Sequence, residues 1–183
     1  SWQAFALLLG VVACFLARAE ARFDRIGVAE GLSQATILCA HHGPAGFVWF
    51  CTQEGLNRFD GHRFRVFRRS EQTGLGDSLI YGLVDAPDGG FWVATGYRGL
   101  FHFDPILERF RPIPLFDGPQ TFRIQDLLVD DAGAVWIATE NVGLWRLDAS
   151  TERAENIWSG ADVLKLLQDR SGTLWIGTFD KGL

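Results

Sequence analysis

An all-β fold built from repeated four-stranded units is what this sequence predicts, and three observations carry the prediction. A tryptophan-centred phrase recurs four times, as Val48-Trp49-Phe50-Cys51-Thr52, Phe91-Trp92-Val93-Ala94-Thr95, Val135-Trp136-Ile137-Ala138-Thr139 and Leu174-Trp175-Ile176-Gly177-Thr178. The tryptophans stand 43, 44 and 39 residues apart, a period too long for a helical hairpin and suited to one blade of a β-propeller. A Gly-Leu pair follows each phrase, at Gly55-Leu56, Gly99-Leu100, Gly143-Leu144 and Gly182-Leu183. Composition agrees: 21 glycines and 13% aromatic residues in 183 favour short strands joined by tight turns.

The elements follow in order. Residues 2–17 are apolar or small, too short a run for the roughly 20 residues of a bilayer-spanning helix. Ala17-Arg18-Ala19 fits the small-x-small cleavage site of a secretory signal, so residues 1–19 are expected to be a signal peptide and the mature chain to open at Glu20. The sequence holds no methionine, and the basic n-region is expected upstream of Ser1. Residues 20–36 are expected to form a lead-in strand or linker. Residues 37–183 hold the propeller repeats, three to four blades, with the last cut short at the C-terminus.

Within a repeat, a β-branched residue stands twelve positions before each tryptophan: Ile37, Ile80, Ile124 and Val163. It opens an apolar first strand. A glycine three before the tryptophan (Gly46, Gly89, Gly133, Gly172) sits among turn formers and closes a hairpin onto the tryptophan strand. A third strand alternates and ends in aspartate, as in Leu100-Phe101-His102-Phe103-Asp104. A fourth follows at residues 63–67, 108–112 and 154–158. One small sheet cannot bury both its faces; stacking it between neighbours does, with the large indole filling the gap between sheets. The indole N–H then needs an acceptor.

The wording of the repeat resembles the two-component regulator propeller family. The fourth copy, residues 167–183, carries that family's Asp-x-x-Gly-x-Leu-Trp-Ile-Gly-Thr-x-x-x-Gly-Leu pattern. The lead-in at residues 23–34, with its Glu-Gly-Leu-Ser-Gln, and Gly55-Leu56-Asn57-Arg58-Phe59-Asp60-Gly61 are similar to the family's opening. The first repeat departs from it, with His41-His42-Gly43-Pro44 where an acidic turn is usual. The resemblance implies a ligand-sensing propeller of about seven blades in the bacterial periplasm, the parent chain being anchored in the inner membrane. It implies an output module elsewhere in that chain, a histidine kinase or a diguanylate cyclase, with a receptor dimer as the assembly. It also implies a small-molecule ligand, for which oligosaccharides are the precedent. An exported carbohydrate-active propeller enzyme and a non-catalytic adhesion or assembly propeller are the alternatives.

No catalysis is expected of this segment, because nucleophile-elbow, zincin, phosphate-loop and paired Cys-x-x-Cys motifs are all absent from the sequence. No metal or cofactor is expected either. Adjacent His41 and His42 would point to opposite faces of a strand, and Asp130, Asp131 and Asp169 read as turn formers. Net charge is −5, which opposes nucleic acid, so the alternating arginines at residues 63–69 read as the solvent face of an outer strand. Propellers bind ligands with loops at one end of their axis, and the turn after each tryptophan strand offers Tyr97, Arg98, Glu140, Asn141, Phe179 and Asp180 as candidate ligand-binding residues. Cys39 and Cys51 flank the first hairpin turn symmetrically, within disulfide reach of each other. They are either a disulfide or two small buried residues, since Ala94, Ala138 and Gly177 take the place of Cys51 elsewhere.

Overall fold

The computed structural model describes residues 24–183; the expected signal peptide, residues 1–19, lies outside them. Among the described residues fourteen strands form three four-stranded antiparallel sheets and one two-stranded sheet, each a simple meander in chain order. The first sheet holds β1 (Cys39–His42), β2 (Val48–Thr52), β3 (Gly55–Phe59) and β4 (Phe64–Phe67). The second holds β5 (Ile80–Asp85), β6 (Phe91–Thr95), β7 (Leu100–Asp104) and β8 (Arg109–Ile113), and the third β9 (Ile124–Val129), β10 (Ala134–Thr139), β11 (Gly143–Asp148) and β12 (Arg153–Trp158). The last pairs β13 (Val163–Gln168) with β14 (Leu174–Thr178). The first strands β1, β5, β9 and β13 contact one another in turn, which is the inner wall of a propeller.

The first strands start where the β-branched residues stand in three repeats but not in the first. Ile37 lies outside the sheet and β1 begins at Cys39. Ile37 belongs instead to the wall of a cavity of about 460 Å³ between the lead-in and Phe50, Phe59 and Phe64. Residues 24–36 supply no strand; they contain one 3-10 turn, Val28–Glu30.

A hydrogen-bond network fastens the lead-in to the first blade. Leu32 is buried, and the Ser33 N–H donates to Asn57 Oδ1 at 2.9 Å. The Ser33 and Thr52 hydroxyls lie 2.8 Å apart. Thr52 Oγ1 spends its one proton on the Gly55 carbonyl, so Ser33 is the donor. Asn57, fully buried, also donates from Nδ2 to the carbonyls of Phe50 and Gly55. The Gly-Leu-Ser of the lead-in and the Gly-Leu-Asn of β3 are thus two halves of one contact.

The tryptophans pack between sheets. Trp49 meets Phe91 and Phe103 of the second blade edge-on at 5.1 and 5.5 Å, and Trp92 joins Ile124, Leu127, Val135 and Leu147 of the third in one buried cluster. Trp136 packs against the cluster of Val163 and Leu166 on β13, whereas Trp175 stays 44% exposed on the last sheet.

Two of the four repeat indoles find the acceptor they need. Trp136 and Trp175 donate from Nε1 to Asp130 and Asp169 at 2.8 Å each, six residues back. Those aspartates also cap their own turns, accepting the N–H groups of Ala132 and Ala134 and of Ser171 and Thr173. Six residues before Trp49 and Trp92 stand Gly43 and Ala86, and both indole nitrogens are buried without a partner.

The third strands end in aspartate for a similar reason. Asp60, Asp104 and Asp148 each accept the N–H groups two and three residues ahead and so shape the turn to the fourth strand.

Cys39 and Cys51 are register partners in β1 and β2, 4.8 Å apart at Cα, and are joined by a disulfide.

Candidate functional site at the loop end of the blades

The turns that follow the tryptophan strands all project from one end of the blades, and one device builds them. The threonine closing each tryptophan strand donates its hydroxyl to the carbonyl of the glycine opening the next: Thr52 to Gly55, Thr95 to Gly99, Thr139 to Gly143 and Thr178 to Gly182, at 2.5 to 3.0 Å. The glycine is required. At Gly143 φ is 103°, and a Cβ there would strike the Trp158 carbonyl of the neighbouring strand.

A second tether brings the connection from the preceding blade to the same place. In the last three repeats the N–H after the threonine donates to the residue just before the first strand: Gly96 to the Leu79 carbonyl, Glu140 to Arg123 and Phe179 to Asp162, at 2.9 to 3.0 Å. The residue after the strand-opening Ile80, Ile124 or Val163 is an extra one in the ladder, Tyr81, Gln125 and Leu164 in turn. Such bulges re-aim side chains at a sheet's end.

These constraints assemble one cluster across the second and third blades. Arg123 Nη2 donates to the Tyr97 hydroxyl at 3.2 Å, and Nη1 lies 3.5 Å from Glu140 Oε2. Its guanidinium carbon sits over the rings of Tyr81 and Tyr97, at 5.4 and 5.6 Å. The Tyr97 hydroxyl, ahead of the charge of Glu140, raises the Arg123 pKa above its already high ordinary value. Asp77 fixes the base of the cluster, accepting the Tyr97 N–H on Oδ2 and the Leu79 N–H on Oδ1. Tyr97 remains 57% exposed, with Glu140 and Arg123 partly open beside it.

Of the residues chosen from sequence, the structure brings Tyr97 and Glu140 together. Arg98 is exposed, with its Cβ and Cγ beside Gly76 in the connection between the first and second blades. Asn141 is exposed, with φ at 64°. Phe179 and Asp180 are exposed on the turn of the last sheet, where the neighbouring Lys181 lies over the Trp158 ring at 5.3 Å.

Sequence reasoning missed Arg123, Tyr81 and Asp77. The available signal was register: Arg123 directly precedes a strand-opening isoleucine, and Tyr81 directly follows one.

Charges elsewhere bridge blades. His41 Nε2 meets Asp85 Oδ1 at 2.8 Å, Arg58 and Arg65 reach Glu108, and Arg111 grips Glu152 with both Nη atoms. Among the described residues no group of three or more His, Cys, Asp and Glu could hold a metal ion.

Comparison with known proteins agrees with this architecture. The model of the two component regulator propeller matches residues 156–180. Histidine kinase P4 of Formosa agariphila is 37% identical over 43 residues, 24% of this chain and 3% of that protein. The extracellular domain of BT4673 from B. thetaiotaomicron, assigned in one structure to a one component system and in another to a hybrid two component system, is 26% identical at a TM-score of 0.65. The match covers 73% of this chain and 18% or 19% of that one, so the chain spans only a small part of either relative. YCF48 bound to D1 peptide shares the fold alone, with a TM-score of 0.57 at 15% identity over 84% of this chain and 49% of that one. The repeat at residues 156–180 is thus similar to that of the two component regulator propeller, and the four-stranded blades and the likeness to BT4673 agree with that resemblance.

Proposed function

We propose that this chain is part of the periplasmic ligand-sensing propeller of a bacterial receptor anchored in the inner membrane, and that it controls an output module elsewhere in the parent protein. The observation that carries the reading is the Tyr81–Tyr97–Arg123–Glu140 cluster at the loop end of the blades. An exposed tyrosine ring next to a partly open guanidinium–carboxylate pair offers a stacking face, donors and an acceptor within one small area. That is the equipment of a small-molecule subsite, and an oligosaccharide is the ligand class it suits. Likeness to the extracellular domain of BT4673 supports the location. The short match to a histidine kinase favours kinase output over the diguanylate cyclase alternative.

The segment contributes binding rather than chemistry. Its cluster spans two blades through Arg123, so a ligand seated on it touches both and favours whichever arrangement of blades it binds better. In a receptor dimer such a bias passes to the output module through the rest of the chain. The test is to reconstitute the full-length receptor in membranes and measure its output activity against a panel of oligosaccharides. One or more should change activity in the native protein and fail to do so in Tyr97→Ala. A ligand whose effect survives Tyr97→Ala, Arg123→Gln and Glu140→Gln alike would place sensing elsewhere.

A further inference from the structure

We infer that this cluster selects neutral sugars over acidic ones, with Glu140 as the residue that excludes the acids. The inference rests on the sensing reading above and goes beyond it to the charge of the ligand.

Arg123 carries the single positive charge of the cluster, while Glu140 and Asp77 bring two negative ones. Asp77 is occupied by backbone N–H groups, whereas Glu140 keeps exposed carboxylate surface. The Arg123–Glu140 pair at 3.5 Å is therefore both a donor and an acceptor presented side by side. Two adjacent hydroxyls on a sugar ring match it: one gives its proton to Glu140, the other accepts from Arg123. Tyr97, more than half exposed, stands beside the pair to take the apolar face of the ring.

A uronic acid has an ionised carboxylate that only accepts. To reach Arg123 it must displace Glu140 or lie against it. Both cost free energy: the first strips Glu140 of its partner and the second sets like charges together.

The experiment measures calorimetric binding to the full-length receptor of neutral hexasaccharides (cello-, xylo- and manno-) and of hexa-galacturonate and hexa-mannuronate. The expected result is that at least one neutral series binds about tenfold or more tighter than any uronate. Glu140→Gln should then bring the uronates up by about tenfold while costing the neutral ligand only a few-fold. A native preference for uronates, or a neutral-to-acid ratio that Glu140→Gln leaves unchanged in a protein with native circular dichroism, overturns the selectivity. If neither series binds the folded receptor, sugar sensing at this face falls, and the selectivity with it.

Discussion

Replacing Asn57 tests whether the lead-in is held by the network that joins it to the first blade. Asn57→Leu keeps the volume near constant but removes the acceptor of the Ser33 N–H at 2.9 Å and the donors to the Phe50 and Gly55 carbonyls at 3.3 and 3.1 Å. Three hydrogen bonds at about 1 kcal/mol each give about 3 kcal/mol, from which burying the leucine returns about 1 kcal/mol, leaving about 2 kcal/mol of net destabilisation. Thr52 still donates to the Gly55 carbonyl, so the turn itself should survive and the loss should concentrate in residues 27–35. Hydrogen exchange of the full chain reads this directly. The Ser33 amide should exchange about 30-fold faster, while the amides of β6 and β7 keep their protection. Asn57→Asp should cost more, because it turns the donor into a second acceptor facing two carbonyls and buries a charge. A Leu variant whose Ser33 amide exchanges at the native rate would refute the reasoning.

Three further predictions come from the same repeat logic. Ala86→Asp supplies the acceptor that Trp92 lacks, in a turn whose backbone hydrogen bonds match those at Asp130. It should raise the denaturation midpoint, by about 1 kcal/mol, and a lower midpoint would count against a shared turn design. Asp148 and Asp169 have pKa values lowered from 3.8 to about 2, chiefly by the Ser150 and Ser171 hydroxyls. Their contribution to stability is therefore complete above about pH 5 and is lost progressively as pH falls past 3.8 and through about 2; Asp169→Asn should flatten the acid limb of the stability profile over that range. Reducing the Cys39–Cys51 bond, which closes a short loop with a sequence separation of 12, should lower stability by up to about 3 kcal/mol. The reduced chain should keep its far-ultraviolet circular dichroism, because Gly82 with Ala94 and Asp126 with Ala138 hold the same register without a bond.

The location of each blade was legible because the demands that make it are local. A threonine hydroxyl must reach a glycine carbonyl three or four residues on, and an aspartate must cap the turn just ahead of it. Such needs repeat at fixed spacing and print themselves on the sequence. The start of β1 was less legible, since Ile37 has the repeat's residue type but lies before the strand, on the wall of the cavity between the lead-in and the sheet. The indole acceptors of Trp49 and Trp92 were half legible: their lack follows from Gly43 and Ala86 once the Asp130 and Asp169 pattern is known.

Alone, the sequence determined the all-β class, the four-stranded unit, its period and the side of each blade on which the variable turns emerge. Those follow from spacing along one chain. Only the tertiary structure decided that Tyr97 and Glu140 meet the same guanidinium, because the residue joining them, Arg123, comes from the connection between their two blades. A cluster assembled across blades depends on how sheets twist and stack, and no repeat period records that.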